Sequence, residues 1–195
     1  ECVLFADKAQ KLKQALLDNY FSKETGNFFE NIQGANAYGL DIGLGDDRTL
    51  SNLVSHYEKL SHFDTGFLGT DILLEVLFRK GYQDLAYELL GSRELGSFLY
   101  MKDRGATTLW EDWHGRDSHD HPMFGACTRQ LFTSVLGIGQ KENTVGYRNL
   151  IICPQIPKKM QYAEGSLQTE NGTVSVSWHK ENDQVRFEIQ IPEET

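Results

Sequence analysis

Phe67-Leu68-Gly69-Thr70-Asp71-Ile72-Leu73-Leu74-Glu75-Val76-Leu77-Phe78-Arg79, closed by Lys80-Gly81, is the stretch that decides the fold. Leu68, Ile72, Leu73, Val76 and Leu77 recur at intervals of three and four, the period of a helix with one apolar stripe. Gly81 suits the left-handed residue that ends such a helix. Residues 83–90 follow at once as a second, shorter helix, with Ala86, Leu89 and Leu90 at helical spacing from Tyr82 and Leu85. No strand pattern separates the two.

Upstream the same organisation repeats. Residues 3–20 carry Leu4, Phe5, Leu12, Leu16 and Leu17 at helical period, and residues 22–27 make a polar turn. Residues 35–44 and 47–60 read as two further helices, with Asp47 or Thr49 as the candidate N-cap of the second. Downstream, residues 101–120 read as a loop and residues 121–138 as a helix. Pro122 stands near its first position, where a missing N–H costs nothing, and Phe124, Cys127, Leu131, Val135 and Leu136 form one face. The pattern changes near Tyr147. Residues 149–153 read as a buried strand ended by Pro154, followed by strands at 161–168, 173–179 and 185–191. The last two alternate strictly, so each has one buried face. Asn171-Gly172 and Asn182-Asp183 supply the turns, and the hairpin reading of Asn-Gly is preferred over glycosylation at Asn171-Gly172-Thr173. Helices that succeed one another without intervening strands exclude a βαβ protein. They fit a mainly α chain: part of a helical barrel over residues 1–146 and part of an antiparallel β-sandwich over residues 147–195.

The chain has 195 residues, 39% hydrophobic and 24% charged, with a net charge of −9. This is the composition of a soluble globular protein. The negative charge argues against a nucleic-acid partner, whose phosphates require Lys and Arg, but is compatible with a neutral sugar. No apolar run reaches the ~18 residues that suggest a membrane helix, and no signal peptide is present, so the compartment, cytoplasmic or exported, is left open. Cys2, Cys127 and Cys153 are too few and too widely spaced for a disulfide framework or a zinc site. Three free thiols, mostly buried, are expected.

The chemistry concentrates in Thr107-Thr108-Leu109-Trp110-Glu111-Asp112-Trp113 and Ser118-His119-Asp120-His121-Pro122-Met123-Phe124-Gly125. Two tryptophans flank an acidic pair. A flat ring can stack on the apolar C–H face of a sugar, and a carboxylate can handle the proton of a hydroxyl or of water. Glu111 is the candidate general base or acid; the alternative is a surface or helix first-turn Glu. Asp112 points away and takes a solvent or supporting role. His119 and His121 form a His-x-His pair, but two ligands do not make a metal site, and no metal or cofactor is expected. His121, ahead of a helix, either hydrogen-bonds a sugar hydroxyl while neutral or simply caps and packs. In His62-Phe63-Asp64-Thr65-Gly66-Phe67-Leu68-Gly69-Thr70, Asp64 or Thr65 can be read as the cap of the following helix. A phosphate loop is excluded by the missing Lys and preceding strand.

These blocks, with Asp84-Leu85-Ala86-Tyr87-Glu88-Leu89-Leu90 and Gly105-Ala106-Thr107-Thr108-Leu109-Trp110-Glu111, resemble the later barrel half of bacterial α-L-rhamnosidases, glycoside hydrolase family 78. Ile151-Ile152-Cys153-Pro154-Gln155 and the strands beyond resemble the start of that family's C-terminal β-sandwich. The resemblance implies an (α/α)₆ barrel of the six-hairpin glycosidase type, a rhamnose-containing glycoside or polysaccharide as substrate, and inversion. Its two carboxyl groups would stand ~6.5–9.5 Å apart with a water between. It implies Glu111 as general base, His121 as a hydrogen-bonding partner of the bound rhamnose, Trp110 and Trp113 as pocket wall, and Asp64 with Thr65 in support. The family's general acid lies in an earlier acidic motif with no counterpart here, and the first barrel helices and last sandwich strands are missing too. The chain is therefore expected to be a fragment, inactive alone, since an unprotonated leaving oxygen costs about 10²–10⁴-fold. Self-association through exposed barrel faces is expected. Other readings are a different barrel hydrolase or lyase, or a non-catalytic sugar-binding or structural module.

Overall fold

The computed structural model describes residues 2–193; Cys2 and Val3 are described by backbone alone, so the thiol expected at Cys2 lies outside the described residues. The chain divides into two compact units, Glu1–Val76 with Glu88–Phe124, and Leu77–Tyr87 with Gly125–Thr195.

The first unit is built from helices. Helix α1 (Cys2–Tyr20) leads into a small antiparallel hairpin, β1 (Phe21–Ser22) and β2 (Asn27–Phe28). Then come α2 (Gln33–Asp41), α3 (Asp47–Leu60), the first part of α4 (Phe67–Arg79), the end of α5 (Gln83–Leu90) and the short α6 (Phe98–Asp103). The N-cap of α3 is Asp46 rather than Asp47 or Thr49. Its carboxylate accepts the Thr49 N–H at 2.9 Å, and the Thr49 hydroxyl accepts the Asp46 N–H at 3.1 Å. This reciprocal box satisfies two donors the first turn leaves free, and Thr49 serves as its N3 partner. Leu53, Val54 and Tyr57 form the buried face of α3. Helix α2 ends earlier than its pattern suggests because the chain turns at Gly43, where φ is +74°. Helix α6 lies at the start of the stretch read as loop. Six residues are too few to display a period, and the helix is set by Ser97, whose hydroxyl accepts the Tyr100 N–H at 3.3 Å.

The second unit has a buried cluster from Leu77, Phe78, Leu85 and Ala86, and a sheet. Residues 122–135 are helical, but not one α-helix: a 3₁₀ segment Pro122–Cys127, an α turn Thr128–Gln130 and a π segment Leu131–Val135 follow one another. Tight and then wide winding shifts the facing of side chains. As a result Leu131 is exposed, and Gln130 and Ser134 are buried beside Cys127, Val135 and Leu136. Strand β3 (Ile138–Gln140) pairs antiparallel with β4 (Leu150–Ile152), so this hairpin has residues on both sides of Tyr147. Strand β4 is half exposed rather than buried. Cys127 is buried and Cys153 exposed, both free thiols.

Strands β5 (Tyr162–Thr169), β6 (Gly172–Glu181) and β7 (Gln184–Gln190) form an antiparallel sheet in that order. Ala163, Trp178 and Phe187 stand in one row, and Gly165, Val176 and Ile189 in the next. Trp178 is fully buried and its indole N–H donates to the Val135 carbonyl at 3.0 Å. The first turn is Glu170-Asn171, one residue earlier than expected; the second is Asn182-Asp183. On β7 both faces are exposed, including Val185, Phe187 and Ile189. Its alternation marks an apolar face that stays partly exposed, at 37% for Val185, 43% for Phe187 and 50% for Ile189.

Candidate active site

The segment between α6 and the 3₁₀ segment folds into a closed loop. At its base the His121 N–H donates to the Leu109 carbonyl and the Glu111 N–H to the Ser118 carbonyl, each at 2.8 Å. The Thr108 hydroxyl donates to the His119 carbonyl. At its tip the Asp112 carboxylate accepts the backbone N–H groups of His114, Arg116 and Asp117 at 2.6, 3.1 and 3.2 Å. Burial raises the Asp112 pKa, but these backbone donors outweigh it and hold the carboxyl below its ordinary value. Asp117, which shares a hydrogen bond with Asp112 and faces its charge, is raised above its ordinary value. Asp112 is thus the clasp of the loop.

Glu111 leaves this clasped loop with its side chain 40% exposed. Its Oε2 accepts the Ser118 N–H at 3.4 Å and lies 3.7 Å from His121 Nδ1. That separation is beyond a hydrogen bond and within ion-pair range. The other ring nitrogen, His121 Nε2, is buried with no hydrogen-bond partner among the described residues. Phe67, at the start of α4, holds the imidazole from the side at 5.3 Å between ring centres. A buried polar nitrogen without a partner is costly, and His121 carries one beside a half-exposed carboxylate.

Asp64 stands in the segment between α3 and α4. The Tyr57 hydroxyl donates to its Oδ1 at 2.6 Å, and His56 Nε2 lies 2.8 Å from its Oδ2. Tyr57 is fully buried. Burial raises its pKa and the Asp64 hydrogen bond raises it further, so the phenol remains a donor. The Asp64 carboxylate is therefore tied to α3, and the residue directly ahead of α4 is Gly66.

The two tryptophans belong to the interior. Trp113 is 8% exposed, lies 4.0 Å from the Phe124 ring and 5.9 Å from the Phe63 ring, and its indole N–H donates to the Thr65 carbonyl at 2.7 Å. Trp110 is 6% exposed and stacks on His119 at 4.7 Å. The His119 ring nitrogen Nε2 is 2.9 Å from the Gly115 carbonyl. The structure thus brings Glu111 and His121 together, links them through Phe67 to the segment bearing Asp64, and sets Trp110 and Trp113 behind. Sequence reasoning missed His56, Tyr57 and Phe67. The available signal was a His-Tyr pair near the end of a helix with an Asp seven residues after Tyr57, a distance a helix end and short loop can fold back. Among the described residues, no group of three or more His, Cys, Asp or Glu is placed to hold a metal ion, and no helix is long and apolar enough to cross a membrane.

Residues 1–135 match the bacterial α-L-rhamnosidase six-hairpin glycosidase domain, and residues 137–195 the bacterial α-L-rhamnosidase C-terminal domain. An α-L-rhamnosidase of Alteromonas sp. (strain LOR) is 36% identical over 143 residues, 68% of this chain and 15% of its own length. The crystal structure of Streptomyces avermitilis α-L-rhamnosidase complexed with L-rhamnose superposes with a TM-score of 0.91 at 27% identity, over 100% of this chain and 20% of that one. An α-L-rhamnosidase from Dictyoglumus thermophilum gives 0.88 at 27% identity, over 97% and 22%. The chain thus spans about a fifth or less of the length of these relatives. With both domain matches in chain order and the helical fold in agreement, the chain belongs to the bacterial α-L-rhamnosidase family.

Proposed function

We propose that the natural protein containing this chain is a glycosidase that releases terminal L-rhamnose from rhamnose-containing glycosides or polysaccharides with inversion at the anomeric carbon. The observation that carries this is the Glu111 carboxylate, half exposed on a clasped loop and 3.7 Å from His121, in a chain of this family. Glu111 takes a proton from water as the water oxygen bonds to the anomeric carbon, and the glycosidic C–O bond breaks with its electrons passing to the leaving oxygen. That oxygen is protonated by a general acid that we assign to no residue of this chain, so the chain alone is inactive. His121 Nε2 hydrogen-bonds a rhamnose hydroxyl, Asp64 accepts from another, and Trp110 and Trp113 shape the pocket wall from behind.

The activity is tested by NMR of α-L-rhamnoside hydrolysis by the longest natural protein containing the chain. Inversion delivers β-L-rhamnose first. Initial α-L-rhamnose would overturn inversion, and no rhamnose would overturn the activity. We propose two domains; limited proteolysis tests whether the division falls at 146/147, as the pattern change suggests, or ahead of the β3–β4 hairpin. We also propose that the isolated chain self-associates through its exposed apolar faces.

A further inference from the structure

Asp64 stands on a backbone that its neighbours already hold. Ser61, at φ +64°, turns the chain off the end of α3. One residue before Asp64, the Phe63 N–H donates to the Gly96 carbonyl at 2.9 Å, and the Phe63 ring is buried. One residue after it, the Thr65 carbonyl accepts the Trp113 indole N–H at 2.7 Å, and the Thr65 and Thr70 hydroxyls share a hydrogen bond at 2.9 Å. Buried groups thus pin the segment on both sides of Asp64, and none of these contacts uses the Asp64 side chain.

The side chain is held as well. The Tyr57 O–H donates to Oδ1 at 2.6 Å and His56 Nε2–H to Oδ2 at 2.8 Å, so each carboxylate oxygen has its own donor. The two donors are consecutive residues of α3. Tyr57 is fully buried, and the His56 ring meets its ring edge to face at 4.9 Å, which steadies the imidazole against a rigid support. The carboxylate they grip is 39% exposed. A pair so exposed contributes little to folding stability, and holding a side chain in one rotamer has an entropic cost. With the backbone fixed by other contacts, what the two donors chiefly set is the direction of the carboxylate. Asp64 and His56 both border a groove of about 560 Å³, the size of a small-molecule site. Two hydrogen bonds leave the carboxylate with further acceptor capacity there.

We infer that His56 and Tyr57 are positioning residues, which aim the Asp64 carboxylate at the sugar hydroxyl it accepts. The inference rests on the glycosidase reading above and adds to it two residues that act only through Asp64. A carboxylate aimed in advance avoids the ordering that a swinging one undergoes when substrate binds. The hydroxyl is present both before and during reaction, so losing the aim weakens ground-state and transition-state binding alike. The loss therefore falls on KM and leaves kcat in place.

The test measures KM and kcat for p-nitrophenyl α-L-rhamnoside with the longest natural protein containing the chain. Beside it stand Tyr57→Phe, His56→Ala, His56→Gln, Asp64→Ala and the double variant Asp64→Ala with Tyr57→Phe. Tyr57→Phe and His56→Ala are each expected to raise KM about tenfold, the scale of one hydrogen bond to a charged group, with kcat changed by less than about twofold. His56→Gln keeps an N–H donor and is expected to recover most of the lost affinity. Tyr57→Phe is expected to add nothing to the KM of Asp64→Ala, because two residues in one contact are not additive. An unchanged KM in Tyr57→Phe and His56→Ala, even with a lower denaturation midpoint, would mean that they serve the fold alone. That result would overturn the inference and leave the glycosidase reading intact. An equal rise in KM from Tyr57→Phe with and without Asp64 would do the same. Failure of the unmodified protein to release rhamnose would overturn the glycosidase reading, and the inference with it.

Discussion

Gly115 closes the Glu111 loop at φ +67°, and a Cβ there would fall 2.8 Å from the Trp110 ring. Both facts require glycine. Gly115→Ala is expected to destabilise the protein by about 1–3 kcal/mol, the scale of a strained backbone residue, seen as a lower denaturation midpoint. Trp113 makes a similar demand through its N–H. Trp113→Phe shrinks the buried ring and leaves the Thr65 carbonyl without its donor; the lost donor alone costs about 1–3 kcal/mol. A midpoint unchanged by Trp113→Phe would show that the hydrogen bond to Thr65 contributes nothing net. At this scale the sequence pointed to Glu111 between two tryptophans and to His121 ahead of Pro122, and the fold sets these two side chains 3.7 Å apart. The sequence was silent where a side chain's partner is chosen by tertiary folding, as with Tyr57 and His56 on Asp64.

Among the elements, α3 shows how a local rule sets a boundary. The Thr49 N–H, the largest influence, lowers the Asp46 pKa below its ordinary 3.8, with burial opposing. A carboxyl whose folded pKa is depressed contributes stability that is complete above its unfolded value and is lost as pH falls through the folded value. Asp46→Ala is therefore expected to cost about 1 kcal/mol at neutral pH, and this difference should shrink as denaturation is measured below pH 3.8. A difference that stays constant down to pH 2 would contradict the cap. Helices α3, α4 and α5 were legible because period and end signals agree; the periodic residues 67–79 and the glycine after them bracket one whole helix. Residues 121–138 were not, because Pro122 and Gly125 admit non-α winding that a 3.6-residue period cannot register. Strand β3, three residues between Gly137 and Lys141, exists through its pairing with β4 rather than through any pattern of its own.

For the whole molecule, the informative surface is apolar. Helix α1 exposes Leu4, Phe5 and Leu12 at 55–65%, and β7 exposes Phe187 and Ile189 at 43% and 50%. Contiguous exposed apolar faces signal association, and β7 also presents an unpaired edge among the described residues. The isolated chain is expected to elute above its monomer mass in size-exclusion chromatography, and Phe5→Lys with Phe187→Lys to return it toward monomer. A monomer at high concentration without these changes would contradict the expectation. The helix-then-strand order and the domain sequence were both legible from pattern and resemblance; which faces stay exposed depends on packing that no local period records.

The most direct test is kcat for α-L-rhamnoside hydrolysis by the longest natural protein containing the chain, beside its Glu111→Gln variant. Glu111→Gln keeps the shape of the side chain and removes its basicity. The account predicts rhamnose release by the unmodified protein and a fall of about 10²–10⁴-fold in the variant, with the denaturation midpoint little changed. Equal rates in the two proteins would contradict the assignment of Glu111 as the base.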